Sequence, residues 1–208
     1  IGVWTTLASL AIGFTISNIG ITSYQGISSY ALLAMPLFIL TGDLIGAGGI
    51  AVRLSALAAA LLRPVRGGMA LATISTCSMF AAISGSNSAT VATIGRIMIP
   101  EMKKQGYNVE FAAANAASGG IVGILIPPSV LMVVYGFMTN LSVIDLFTAG
   151  WGPGICVSLG LAGAALYWSR KHKWGEVGPF VFKDTAKAFL DAKFGIGAVF
   201  LILFLIYG

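Results

Sequence analysis

Apolar positions along the chain fall into long runs, and polar residues concentrate in the short segments between them. A further stretch, Met69 to Met102, is apolar but is interrupted near its centre by the small polar sequence Ser84 to Ser88. This pattern predicts an all-α chain with several membrane-embedded helices. The runs with the length and low charge of bilayer segments are Ile1 to Ile19, Tyr30 to Ile45, Phe111 to Met138, Leu146 to Trp168 and Phe194 to Tyr207.

Composition supports the membrane assignment. Hydrophobic residues make up 57% of the 208 residues and charged residues only 9%, and the mean hydropathy is +0.93. An ordinary soluble domain carries about 25% charged residues, so a soluble core would not bury this much apolar surface. Cys77 and Cys156 both lie in apolar surroundings, and we interpret them as small hydrophobic residues.

Positive charges lie in a few clusters, and their placement predicts the orientation in the membrane. By the positive-inside rule the connections that carry these clusters are cytoplasmic. Segments 20–29 and 139–145 contain no Lys or Arg and are expected on the opposite side. The net charge of +5 therefore indicates topology and gives no sign of nucleic-acid binding. The clusters are Arg53, Arg63 and Arg66; Arg96, Lys103 and Lys104; and six residues from Arg170 to Lys193.

The segment Met69 to Pro100 predicts a re-entrant helical hairpin. Its flanking residues Arg66 and Lys103 are expected on the same side, and it holds about 32 residues, whereas two full spans need roughly 40. We expect arms over Met69–Ile83 and Ala89–Met102, joined by the polar sequence near mid-membrane. Unwound backbone survives at that depth only where it is buried or lines a cavity, which is where transporters hold ions and substrates. Two short, tightly packed spans are the alternative.

The apolar run from Phe111 contains several glycines and then Ile126-Pro127-Pro128-Ser129, which predicts a discontinuous helix. Adjacent prolines remove two amide donors and push the preceding residue out of helical geometry. We expect the break between Gly123 and Pro128. Carbonyls left unpaired there suit a hard cation such as Na⁺, and the N-terminus of the following half-helix can face an anion. A proline kink repaired by Ser129 or by a neighbouring helix is the alternative.

Two amphipathic segments are predicted to lie at the cytoplasmic interface. Phe180 to Lys193 is one of them. In Gly48 to Gly68, apolar residues recur at helical spacing among three arginines, which favours either an arm that braces a moving domain or a passive connector. The apolar positions of that segment are Ile50, Leu54, Leu57, Ala58, Leu61 and Val65.

Isolated charged residues suggest no catalysis. We expect Asp43 to pair with a nearby arginine or to cap a helix, although an acid inside a membrane is also a candidate for an ion or proton role. Arg96 is expected to snorkel to the interface or to contact an anionic solute. The sequence shows no His, Cys and carboxylate cluster with metal-ligand spacing and no nucleophile motif. No enzyme activity, catalytic residue or covalent cofactor is therefore predicted.

Four motifs in the region Ala31 to Gly154 resemble one transporter family. They are LAMPLFILTGDL at 33–44, FAAISGSNSAT at 80–90, IMIPEM at 97–102 followed by Gly106-Tyr107, and GILIPPS at 123–129. Their order and spacing are similar to those of the large membrane subunit of tripartite ATP-independent periplasmic (TRAP) transporters. One departure is Asn87, which stands where this family often has another small residue.

The resemblance implies sodium-driven uptake of small organic acids across the bacterial or archaeal cytoplasmic (inner) membrane. Expected partners are a periplasmic solute-binding protein and a small four-span membrane subunit. The implied fold is one half of an inverted-repeat, elevator-type transporter, and the remaining C-terminal half is expected beyond Gly208. The implied division is scaffold spans over 1–47, an arm helix over 48–68, a transport domain over 69–139, and further spans with an amphipathic linker over 140–208.

The resemblance also implies that the hairpin tip and the broken helix form one sodium and substrate site. A coupling Na⁺ is expected at Ser84, Ser86 and Asn87, with Gly123 and Pro127. The loop Thr139 to Asp145 is expected to face the binding protein. A divalent-anion sodium symporter without a binding protein, and a channel with a re-entrant filter, remain open as alternatives. The whole candidate set is Ser84, Gly85, Ser86, Asn87, Ser88, Thr90, Gly123, Ile126, Pro127, Pro128 and Ser129.

Overall fold

A computed structural model describes residues 30–208, together with positions 4, 11, 21 and 24. Helices and their connections make up this part of the chain, and it contains no strand, so the predicted all-α fold is confirmed. The span expected over Ile1 to Ile19 and the loop expected over 20–29 lie almost entirely outside the described residues. The helices are α1 (Tyr30–Ala47), α2 (Ile50–Leu62), α3 (Gly68–Ser84), α4 (Asn87–Lys104), α5 (Val109–Leu125), α6 (Val130–Thr139), α7 (Val143–Lys171) and α8 (Phe182–Tyr207).

Helices α3 and α4 form the predicted helical hairpin. Gly85 ends α3 in the left-handed conformation (φ 59°), and its N–H donates to the Ala81 carbonyl at 2.9 Å, which is a common way to close a helix. Ser86 then caps α4 by accepting from the Ala89 N–H at 3.5 Å. The turn is tighter than the five-residue tip expected, because Ser84 and Asn87 already belong to the helices. Its depth in the bilayer stays a prediction.

Helices α5 and α6 form the predicted discontinuous helix. The non-helical residues are 126–129, so the break begins later than expected, and Gly123 is still helical. The reason is that Pro127 and Pro128 lack the N–H groups that would continue the helix, while the residues before them can still donate. Ile126 adopts an extended conformation (φ −78°, ψ 124°), as residues before proline do.

Helix α2 follows α1 after the turn Gly48-Gly49, and the two helices meet at 67°. It is shorter than the arm predicted over 48–68. Leu54 and Leu57 are buried as the periodicity predicts, but Leu61, assigned to the same face, is 48% exposed. The position of α2 at the membrane interface stays a prediction.

Helix α8 is continuous from Phe182 to Tyr207, so the prediction of a separate interfacial helix over 180–193 is wrong. The change from charged to apolar residues at Lys193 contains no proline, and a helix tolerates the glycines that follow it. One of these, Gly195, lets α8 approach α2 closely, since a Cβ there would lie 2.7 Å from Ile50 Cγ2.

Residues of the first and third basic clusters lie near one another, as the predicted topology requires. Arg66 and Lys173 line one cavity of about 530 Å³, and the Gly178 N–H donates to the Arg63 carbonyl at 3.2 Å. Asp43 is in neither of the ion pairs found in the described part of the chain, which are Arg63–Asp184 and Lys104–Glu101. Asp43 therefore forms no ion pair with an arginine within the described residues.

Three helical segments of the described region are long and apolar enough to cross a membrane. They are Val109–Thr139, which includes the break, Val143–Lys171 and Phe182–Tyr207. The bent pair Ile39–Ala47 and Ile50–Leu62 would make a fourth if it forms one span. The predicted multi-span character is confirmed.

Helix α5 packs into the angle between the two hairpin arms. A Cβ at Gly119 would lie 2.8 Å from Cys77 Sγ on α3, so glycine is what lets these helices approach. Asn115 Nδ2 donates to the Ala70 carbonyl at 3.0 Å and adds a buried polar link between α5 and α3. Small residues and interhelical hydrogen bonds are what hold helices together in lipid.

We expect Asn115→Ala to destabilise the full-length protein by about 1 kcal/mol, since it removes this buried interhelical hydrogen bond. Thr148→Ala is the control, because its exposed hydroxyl donates only to Ile144 within its own helix. Unfolding of the purified proteins in detergent measures the difference. Equal stability of the two variants would contradict the packing of α5 on α3.

Candidate functional site at the hairpin tip and the helix break

The hairpin tip and the helix break are in direct contact. The Val130 N–H, at the start of α6, donates to the Gly85 carbonyl at 3.2 Å. A Cβ at Gly85 would lie 2.6 Å from the Pro128 carbonyl oxygen and 3.5 Å from Ser129 Cα. Together with the positive φ of Gly85, this means that only glycine lets the hairpin turn and the helix break meet.

Buried hydroxyl groups hold the tip in one conformation. Ser84 Oγ and Thr90 Oγ1 lie 3.0 Å apart, and Thr90 Oγ1 donates to the Ser86 carbonyl at 2.8 Å. Ser84 and Thr90 are both fully buried. The network therefore crosses the turn, from the last residue of α3 to the first turn of α4, and fixes where the oxygen lone pairs point.

The end of α5 lies against this network. A Cβ at Gly123 would be 3.4 Å from both the Ser86 carbonyl oxygen and Thr90 Oγ1, in ordinary van der Waals contact. Because Pro127 and Pro128 carry no N–H, the carbonyls four residues earlier, at Gly123 and Ile124, have no helical donor. The end of α5 that contacts the tip through Gly123 therefore carries carbonyl oxygens without a helical partner.

Two side-chain oxygens at this junction are buried without a hydrogen-bond partner. They are Asn87 Oδ1 and Ser129 Oγ, and Ser129 is only 1% exposed. A buried polar atom left unpaired costs about 1–3 kcal/mol, and such atoms are rare enough that each one needs an explanation. Asn87 Oδ1 belongs to the hairpin tip and Ser129 Oγ to the helix break.

The electrostatics of the junction come from helix ends. Residues 84–90 and 123–130 include no ionisable side chain. The C-termini of α3 and α5 present carbonyl groups with partial negative charge, and the N-termini of α4 and α6 present N–H groups with partial positive charge. The arrangement can hold a cation at the carbonyls and an anion at the amide ends side by side. Within the described residues, no group of three or more His, Cys, Asp and Glu could hold a metal.

The structure brings most of the predicted site residues together, but two of them face elsewhere. Ser88 is exposed on the first turn of α4, away from the hydroxyl network. The side chain of Ile126 packs against α7, since a Cβ at Gly154 would lie 3.0 Å from Ile126 Cγ1. Ser84, Ser86 and Asn87, by contrast, surround the turn.

Sequence reasoning missed the part that α1 plays at this junction. Gly42 is buried against the tip, since a Cβ there would lie 3.1 Å from Ser84 Cα. One turn later, a Cβ at Gly46 would lie 3.7 Å from the ring of Phe80 in α3. The spacing Gly42-x-x-x-Gly46 allows close packing of membrane helices and is the sequence signal for this contact. The resemblance implied only scaffold spans for residues 1–47.

The chain matches one protein family over almost its whole length. The family described as "Tripartite ATP-independent periplasmic transporter, DctM component" covers residues 3–208. The chain belongs to this family. The resemblance inferred from the four motifs is confirmed, and membership of the DctM family identifies the chain as part of a multi-span protein of the inner membrane that belongs to a transporter family.

Curated relatives within the DctM family differ in the solutes that their names state. The C4-dicarboxylate TRAP transporter large permease protein DctM of Vibrio cholerae is 42% identical over 99% of this chain. The isethionate TRAP transporter permease protein DctMQ of Oleidesulfovibrio alaskensis is 43% identical over 89%. The sialic acid TRAP transporter permease protein SiaT of Haemophilus influenzae is 33% identical over 86%.

The chain spans less than half the length of these relatives. It covers 44% of the Vibrio cholerae protein, 29% of the Oleidesulfovibrio alaskensis protein and 30% of the Haemophilus influenzae protein. The junction described above therefore accounts for one portion of a larger DctM-type permease.

We expect Gly85→Ala to disrupt the junction, because the new methyl group meets the Pro128 carbonyl as well as the strain of positive φ. Gly106→Ala is the matched control: Gly106 also has positive φ (78°), but nothing lies within 4 Å of its Cβ position. Strain alone costs about 1–2 kcal/mol. Unfolding of the full-length variants should show a clearly larger loss for Gly85→Ala. Equal losses would contradict the contact between tip and break.

Proposed function

We propose that the junction of tip and break is the sodium and solute site of a sodium-coupled transporter that imports small organic acids. The observation that carries this proposal is the pair of orphaned oxygens, Asn87 Oδ1 at the tip and Ser129 Oγ at the break, which are both buried without a hydrogen-bond partner. Hard cations are bound in proteins by oxygen atoms. A coupling ion would give these oxygens the partner they lack.

The sodium ion would bind on the carbonyl side of the junction. Its ligands would come from Ser84, Ser86 and Asn87 at the tip and, at the break, from the carbonyls of Gly123 and Pro127 and from the Ser129 hydroxyl. Unwound backbone and helix C-termini coordinate Na⁺ in other secondary transporters, and the ends of α3 and α5 supply both. The contact between tip and break supports a single site that needs both elements.

An anionic solute would bind on the amide side. The N-termini of α4 and α6 converge at the junction, and each favours negative charge. C4-dicarboxylate, isethionate and sialic acid occur in the names of relatives, and we propose a small organic acid for this chain as well.

The hairpin would be re-entrant, and it would move with the broken helix as an elevator-type transport domain. Its base and the other basic connections share one end of the structure, so the tip would reach the middle of the bilayer from the cytoplasmic side. The α6–α7 loop has exposed residues from 139 to 142 and carries no Lys or Arg. It would face a periplasmic solute-binding protein on the opposite side.

The complete transporter would also contain the remaining C-terminal half of the permease and a small four-span membrane subunit. Inverted-topology repeats place substrate and ion sites at the repeat interface. A site built from only one hairpin and one broken helix would accordingly be completed by a second pair.

The test is uptake into proteoliposomes that hold the full-length permease with its small subunit. Radiolabelled succinate, isethionate and sialic acid are the probes, and the solute-binding protein encoded beside the permease is added outside. Saturable uptake of at least one acid that requires both a sodium gradient and the binding protein supports the proposal. Uptake that is unaffected by the binding protein would indicate a divalent-anion symporter, and single-channel currents would indicate a channel; either result overturns it.

Ser129→Ala should raise the Na⁺ concentration for half-maximal binding roughly tenfold, since it removes one oxygen ligand. Binding of ²²Na⁺ to the purified full-length permease measures this without any solute. Thr139→Ala is the control, because its exposed hydroxyl donates to the Tyr135 carbonyl in its own helix. An unchanged Na⁺ affinity in Ser129→Ala would exclude Ser129 as a ligand.

A further inference from the structure

Helix α4 has a buried face and an exposed face. Thr90, Ile94 and Met98 lie on the buried face, where each is at most 1% exposed. The residues that follow one another at helical spacing on the opposite side are all exposed, which places them on a single face. We call this side the polar face of α4. Its members are Ser88, Ala92, Arg96 and Lys103.

The polar face of α4 differs from a surface that meets lipid. On α8 the exposed side chains near the C-terminal end are large and apolar, among them Phe200, Phe204 and Leu205, each more than 60% exposed. The polar face of α4 has instead two small side chains, Ser88 and Ala92, followed by two basic ones. A surface of this composition gains little from contact with hydrocarbon chains.

Arg96 lies in the middle of the polar face and forms no ion pair with the described residues. The two ion pairs found among them are Arg63–Asp184 and Lys104–Glu101. In the orientation proposed above, α4 runs from mid-membrane to the cytoplasmic side, so Arg96 lies about 12 Å inside the C-terminal end of the helix. Ionisable residues within a membrane face the protein interior or a water-filled cavity, and they mark the paths of solutes and ions.

Snorkelling to the interface would account for Arg96 alone. It would bring the guanidinium group toward the lipid headgroups. Ala92 and Ser88, one and two turns deeper, would still present a surface without large apolar side chains to the lipid. A water-filled path along the whole face accounts for all three residues together.

The polar face connects the two ends that a released solute must pass. It begins at Ser88, in the first turn of α4, and the amide end of this helix is where the solute is proposed to bind. It ends about 22 Å away along the helix axis at Lys103, where basic residues indicate the cytoplasmic side. The charges of Arg96 and Lys103 are complementary to that of an organic acid.

We propose that the polar face of α4 lines a water-filled path on the cytoplasmic side of the permease, and that Arg96 binds the anionic group of the organic acid as it leaves. A guanidinium group holds a carboxylate through two parallel hydrogen bonds. The proposal rests on the proposed function for the kind of solute and for the orientation of the hairpin. It assigns a second site, about 12 Å along α4 from Ser88.

Cysteine labelling tests the path without solute or sodium. Ala92→Cys and Leu201→Cys are made in the full-length permease with its native cysteines replaced, and Leu201 is the control because it is 59% exposed on α8. The probe is 2-sulfonatoethyl methanethiosulfonate, an anionic, membrane-impermeant reagent, added to inside-out vesicles. Ala92→Cys should react at least about tenfold faster, since the reactive thiolate forms in water. Equal rates would overturn the proposal, because position 92 would then lie against protein or lipid.

The charge of Arg96 should affect the same reaction. Side chains at positions 92 and 96 are about 5–6 Å apart on a helix, so Arg96→Gln should slow labelling of Ala92→Cys by the anionic reagent roughly threefold relative to the neutral reagent methyl methanethiosulfonate. Lys104→Gln is the control that should leave this ratio unchanged, because Lys104 pairs with Glu101 and lies off the polar face. An unchanged ratio in Arg96→Gln would overturn the proposal.

Inhibition of uptake from inside measures solute binding at Arg96. In the proteoliposomes described above, the transported acid loaded inside should inhibit uptake, and Arg96→Gln should raise the internal concentration for half-inhibition roughly tenfold. Arg96→Lys should retain most of the inhibition, and ²²Na⁺ binding should be unchanged in both variants. An unchanged half-inhibiting concentration in Arg96→Gln would overturn the proposal. A wild type without sodium-driven uptake would overturn the proposed function instead, and the labelling rates would still decide whether Arg96 lines an anion path.

Discussion

The contact between the hairpin turn and the helix break is the constraint on which the rest of this structure depends. The Val130 N–H donates to the Gly85 carbonyl, so one backbone group of each element has its partner in the other. Gly85 and Ser129 are both buried, and a buried backbone group without a partner is costly. The hairpin and the broken helix therefore stabilise each other at this point, and α5 also packs along both arms.

Glycine is what makes this contact possible, and the glycines act in different ways. Gly85 supplies the left-handed turn and leaves room for the Pro128 carbonyl. Gly42 on α1 and Gly150 on α7 bring neighbouring helices against the tip and behind the break. Since lipid provides no hydrophobic drive for helix association, close packing of this kind supplies much of the stability. The same packing excludes lipid and bulky side chains from Asn87 Oδ1 and Ser129 Oγ, which lack partners.

The sequence was sufficient to predict the elements that depend on local chemistry. Each end of the two hairpin arms lies within one or two residues of the expected position, because the polar turn and the basic flanks set the limits of the arms. The break begins later than expected because Pro127 and Pro128 are the residues that lack an N–H, whereas Gly123 stays helical and packs against Thr90. The change in polarity at Lys193 suggests the end of a helix, but α8 continues through it. The outward position of Ser88 and the contact of Gly42 depend on tertiary packing, which hydrophobic periodicity does not encode.

A double-mutant cycle of ²²Na⁺ binding shows whether the tip and the break form one sodium site. Asn87→Ala and Ser129→Ala would be measured singly and together in the full-length permease. If both oxygens bind the same ion, removing the second from a site already disrupted costs little, so the double variant should bind Na⁺ about as weakly as the weaker single variant. Fully additive losses of binding free energy, or no loss in either single variant, would mean that the two oxygens do not share an ion.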